Sequence, residues 1–151
     1  MSVKEQIDKD LKVALLARDT DRVTVLRGLK SVILDAEISE GARETGLDDQ
    51  ATITLLQKQA KQRQESADVY ATAGAQARAD KELAEKRIIE QYLPEQLSED
   101  KIAELVDQVI AELGTNDQKV MGQVIGAVKA KAKGAADGAS IARIAKEKLN
   151  A

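Results

Sequence analysis

Pro94 is the only proline in 151 residues, while alanine, the strongest helix former, fills 24 positions. A chain with one strong helix breaker is free to run helix after helix on both sides of it. The core those helices enclose has to be built from small parts. Phe, Trp, Cys and His are absent, and Tyr70 and Tyr92 are the only aromatics. Packing therefore falls to Leu, Ile, Val and alanines that let backbones approach closely. The expected fold is all-α.

Apolar spacing locates the helices. Ile7, Leu11, Ala14 and Leu15 mark a first helix over about 3–17, and "RDTDR" interrupts it, with Asp19 or Thr20 as the next N-cap. Val23, Leu26, Leu29, Val32, Ile33 and Ala36 form the stripe of a second helix that ends near Ile38. "SEGARETGLDD" is a loop, and a polar third helix follows over about 49–73. A fourth, over about 76–93, ends at Pro94, because the residue before a proline avoids the helical region. Beyond "PEQLS", Ser98 caps a fifth helix, and Thr115 to Gln118 reads as a capping box opening a sixth. Gly134 ends that helix and Asp137 caps a seventh. The division is then an N-terminal four-helix domain over 1–94, a bundle or long hairpin, and a three-helix module over 95–151.

Charge is unevenly spread. Residues 119–151 carry seven basic side chains against two acidic ones, +5 within a chain of −3, which leaves −8 for residues 1–118. A basic end on an acidic body suits an anionic partner, although ordinary helix solvation gives the same count. The opening "MSVKEQIDKD" is too polar for a signal peptide, and no apolar run approaches the ~18 residues of a membrane span. With no cysteine to oxidise, the expectation is a cytoplasmic protein without membrane partners.

The stretch "KVMGQVIGAVKAKAKGAADG" concentrates the question of function. At ~100° per residue, Val120, Met121, Val124, Ile125, Val128 and Ala132 share one arc. Lys119, Gly122, Gly126, Lys129 and Lys133 gather opposite, and Lys131 falls at the apolar edge. Each mid-helix glycine costs ~1 kcal/mol against alanine. Two such glycines bare the backbone, either to a sugar-phosphate chain steered by the lysines or to another helix of the same protein. Both readings stay open at this point. Arg143 and Lys146 extend the candidate RNA surface along the last helix. Gly134, Asp137 and Gly138 read as a structural turn, since Asp137 would set a carboxylate where a phosphate should bind.

Catalytic signals are missing. Without His or Cys the usual general base, thiol nucleophile and soft metal ligands are gone, and no phosphate-binding loop or nucleophile elbow is present. Acidic pairs such as Glu82/Glu85 and Glu37/Glu40 read as solvated helix faces. No catalytic residue, metal site or cofactor is expected, and base-stacking recognition of nucleic acid is disfavoured by the lack of aromatics.

In order and spacing, "DLKVALLARDTDRVTVLRGLKSVILDAEI", "KQAKQRQESADVYATAGAQ", "EKRIIEQYLPEQLSEDKI" and "MGQVIGAVKAKAKGAADG" resemble the YqeY-like proteins. Those are relatives of the tail of the B subunit of glutamine-dependent aspartyl/glutamyl-tRNA amidotransferase. The resemblance covers nearly the whole chain and implies a helical N-terminal domain followed by a three-helix module. In the amidotransferase that module helps hold the tRNA body. Carbon–nitrogen ligase activity with glutamine as amido-N-donor attaches to the family by association, while the domains that perform it are missing here. Gly122, Lys129, Gly134, Asp137 and Gly138 match the family pattern. Ala135 and Ala75 stand where relatives often carry arginine, which removes positive charge at both turns. The resemblance thus implies a tRNA-binding, non-catalytic protein that does not engage DNA, with a translation-related protein as the other class of partner.

Overall fold

The computed structural model describes residues 1–149. Seven helices make up the fold, with no strand among the described residues: α1 (Val3–Leu16), α2 (Thr20–Ser39), α3 (Asp49–Thr72), α4 (Gln76–Glu90), α5 (Glu99–Leu113), α6 (Met121–Ala132) and α7 (Gly138–Leu149). Short polar side chains start them. Ser2 and Glu5 form a reciprocal capping box on α1, and the carboxylates of Asp19 and Asp48 accept from the third amides of α2 and α3. Gly74 and Gly114 break the chain in left-handed conformations at φ 77° and 70°. The α4 helix stops three residues short of its expected end. The Tyr92 and Leu93 amides donate to carbonyls three residues back, at 3.0 and 3.1 Å, so the chain tightens ahead of Pro94.

The chain divides after Leu93 into two compact units. In the first, Ile7, Leu11 and Ala14 of α1 meet Val23, Val25, Leu26, Leu29 and Ile33 of α2, Leu56 and Ala60 of α3, and Ile89 of α4. Leu15, expected inside, is 45% exposed, being eight positions and some 80° round the helix from Ile7. The distal half of α3 lies along α4 through alanines and charges. Ala67 and Ala79 are buried there, and Arg63 bridges both Glu82 and Glu85 at 3.2 Å. Those two glutamates are mostly buried ion-pair partners and not a solvated face.

Glu37 departs further from expectation, at 1% exposed. Its Oε1 accepts from Lys4 Nζ at 2.8 Å and from the Leu47 amide at 3.4 Å, so it ties α1 and the α2–α3 loop to α2. The lysine hydrogen bond, helped by the loop amide and opposed by burial, holds its carboxyl below the ordinary value. A carboxyl depressed in the folded state stabilises above its unfolded pKa of about 4.3 and loses that contribution as pH falls through the folded value. Below about pH 4 the first unit should therefore melt progressively earlier. In Glu37→Gln the acid dependence of its melting should flatten; an unchanged slope would show that Glu37 does not govern it. At the other end of α2, Tyr92 donates to Asp10 Oδ2 at 2.6 Å, and burial, then that carboxylate, pushes the phenol up.

The second unit packs α5, α6 and α7 around Ile102, Val106, Val109, Val124, Val128, Ile141, Ile144 and Ala145. Ser98 caps α5 as expected, accepting from the Lys101 amide. The expected capping box at Thr115 does not form. The Thr115 hydroxyl accepts from the Asp117 amide, Asp117 accepts from the Lys119 amide, and a 3-10 turn (Gln118–Val120) leads into α6 without a side-chain cap. No helix among the described residues is long and apolar enough to cross a membrane.

Candidate nucleic-acid interface

The apolar arc of α6 (Val124, Val128, Ala132) is buried, which turns the glycine side outward. Gly122 and Gly126 are exposed, and a Cβ built on either meets nothing within 4 Å. Within the second unit no helix fills the groove they leave. Of the two readings the sequence leaves open, a bared strip and a packed one, the glycines fit the first within this unit.

The lysines follow only in part. Lys119 is exposed in the 3-10 turn that precedes α6. Lys129 leans toward α7: a Cβ on Gly138, the first residue of that helix, would lie 3.1 Å from Lys129 Cε and 3.2 Å from its Nζ. Gly138 thus gives the lysine stem room to cross the start of α7. Lys133 is not a helical residue. It caps α6 at φ 48°, left-handed, and Gly134 follows at φ 87°. Helical phase therefore misplaced Lys133, whose backbone has already left the spiral. For a residue with a Cβ that conformation costs roughly 1–2 kcal/mol, so the turn holds Lys133 against its own preference.

The turn itself is structural. Gly134 is buried, and Asp137 accepts from the Ser140 amide at 2.7 Å, capping α7. Its carboxylate occupies the helix start, as the sequence suggested.

Acidic residues of α5 and α7 sort the remaining cations. Glu99 and Glu147 both pair with Arg143, Asp107 pairs with Lys148 at 3.1 Å, and Glu112 with Lys131 at 3.4 Å. Arg143 is thereby engaged by two carboxylates. Sequence spacing could not show this, because Glu99 lies 44 positions away. Lys119, Lys129, Lys133 and Lys146 have no ion pair among the described residues. Among the described residues the lysines without an ion pair are thus Lys119 and Lys133 at the two ends of α6, Lys129 in the helical phase of the open glycines, and the exposed Lys146 of α7. Such an array can hold a polyanion by charge and close backbone approach, but offers no aromatic platform for bases. No group of three or more acidic side chains suited to a metal occurs among the described residues.

A family model described as Yqey-like protein matches residues 4–149. A comparison with curated proteins finds no match.

Proposed function

Because the chain belongs to the YqeY-like family, by a match spanning residues 4–149, we propose that it is a non-catalytic, cytoplasmic, tRNA-interacting protein. Its contact surface is the α6 glycine strip with the surrounding lysines. The observation that carries this reading is the coincidence of unoccupied space at Gly122 and Gly126 with lysines that have no ion pair among the described residues. The resemblance of "MGQVIGAVKAKAKGAADG" to the tail of the amidotransferase B subunit supplies tRNA as the polyanion.

Salt titration of binding to total tRNA and to duplex DNA tests the proposal. Affinity should fall steeply with salt for tRNA and be absent for DNA. Lys129→Ala and Lys133→Ala should each shrink the salt slope by roughly one unit if each meets a phosphate. Arg143→Ala should do less, since its guanidinium already serves Glu99 and Glu147. Equal binding to both nucleic acids would reduce the surface to a generic basic patch. Purified protein should also turn over neither glutamine nor ATP, having no His, Cys or phosphate loop; turnover lost on mutating one acidic residue would overturn the non-catalytic assignment.

A protein-adaptor reading draws on the first unit, where Val13 and Leu16 of α1 are 58% and 86% exposed. Under it, Leu16→Glu removes a defined translation-related partner while tRNA binding by α6 is unaffected.

A further inference from the structure

The chain enters the second unit fastened to the α6–α7 turn. The Leu97 amide donates to the Ala135 carbonyl at 2.7 Å. Gln96 Nε2 donates to the Gly134 carbonyl at 3.3 Å and to the Pro94 carbonyl at 3.1 Å. The Leu97 side chain packs on the second core. Across the joint, the Ala135 amide donates to Ala132 and the Lys133 amide to Lys129, at 2.9 and 3.1 Å. Residues 96 and 97 thus bond the turn at Gly134, which is buried, and at Ala135, beside the exposed, left-handed Lys133. Lys133 is held from both sides, by its own amide donating to Lys129 and by the Gly134 and Ala135 carbonyls that accept from Gln96 and Leu97.

From this arrangement we infer that residues 94–97 and the α6–α7 turn open and close as one cooperative joint, which presents Lys129 and Lys133 only when closed. The joint regulates the surface described above. The identity of its ligand rests on the tRNA reading, whereas the joint itself does not. When Leu97 leaves Ala135, the turn loses its outer wall. Lys133 is then free to leave the left-handed region, and its amide bond to Lys129 opens with it. A polyanion that needs both lysines in place holds the joint shut, and by linkage a shut joint is what it binds.

Amide hydrogen exchange of the full chain, followed residue by residue, tests this. In free protein the Leu97, Lys133 and Ala135 amides should exchange from one common opening, with protection factors within about threefold of each other. Gln96→Ala removes a hydrogen bond worth roughly two- to tenfold in an opening equilibrium, and should speed all three by the same factor while leaving interior α5 amides unchanged. Acceleration confined to Leu97, or unequal protection in the wild type, overturns the joint. With total tRNA at about 100 times its dissociation constant, all three amides should slow by up to about a hundredfold. Gln96→Ala should leave tRNA affinity unchanged, since the closed form still dominates. Absence of any tRNA binding would sink the proposed function while the free-protein measurement still decides the joint. Binding that leaves the three amides unprotected overturns the gating.

Discussion

Leu26→Ala is expected to unfold the first unit early and leave the second standing. Leu26 is fully buried at the centre of the α1–α4 cluster, among Ile7, Leu11, Val23, Leu29 and Ile33. Removing it takes away both its burial and the atoms its neighbours pack against, a loss of about 2–5 kcal/mol. In a unit of this size that lowers the melting temperature by roughly 10–30 °C. The second unit has its own buried cluster around Val106, Val124, Val128 and Ile141, which Leu26 does not enter. Scanning calorimetry should therefore resolve two transitions in the mutant, of which only one has moved. Limited proteolysis near 94–98 should release a helical fragment that outlives its neighbour. One transition displaced as a whole would show that the chain melts as a single cooperative body and that the division after Leu93 is geometric only.

The helices could be read from the sequence, because most carry an apolar stripe and several a side-chain cap of their own. Ser98 and Asp137 read as caps from residue type and position alone, and Asp19 as one of two choices with Thr20, since capping is local and reaches only to the third amide. What escaped were features set by residues distant in sequence. On sequence alone Glu37 reads as a solvated carboxylate. It stands eleven positions after Leu26, almost a whole number of turns, so helical phase already put it on the buried face. Its charge hid that signal, and its partner Lys4 lies 33 positions away. The pairing of Arg143 with Glu99 left no trace in spacing at all. It decides which cations remain available, and for that reason the candidate surface was only partly legible. Lys133 was misplaced for a third reason: phase arguments assume a continuing helix, and its backbone had already turned left-handed.

Gly122→Leu and Gly126→Leu are expected to weaken tRNA binding at least tenfold while making α6 firmer. In a packed groove the added bulk would clash and cost about 1–3 kcal/mol. Here a Cβ at either position meets nothing within 4 Å, so within the unit the new side chain points into open space. Replacing Gly126, inside α6, should then raise stability by up to about 1 kcal/mol through helix propensity, and replacing Gly122, the second residue of that helix, by less, seen as a small upward shift in the melting of the second unit. On the outside the effect reverses. A leucine stands several ångströms off the bared backbone and holds a sugar-phosphate chain away from Lys129 and Lys119 together, so tRNA affinity should fall at least tenfold, about 1.4 kcal/mol. Gly122→Ala, which adds one methyl, should fall between the two. Gly138→Leu separates the causes further, because its Cβ would lie 3.1 Å from Lys129 Cε and must displace that side chain. It should weaken binding by moving a cation and not by covering the strip. Melting curves and tRNA titrations on these variants distinguish the outcomes. Leucine variants that melt higher and still bind tRNA as the wild type does would place the contact elsewhere than on the glycine strip.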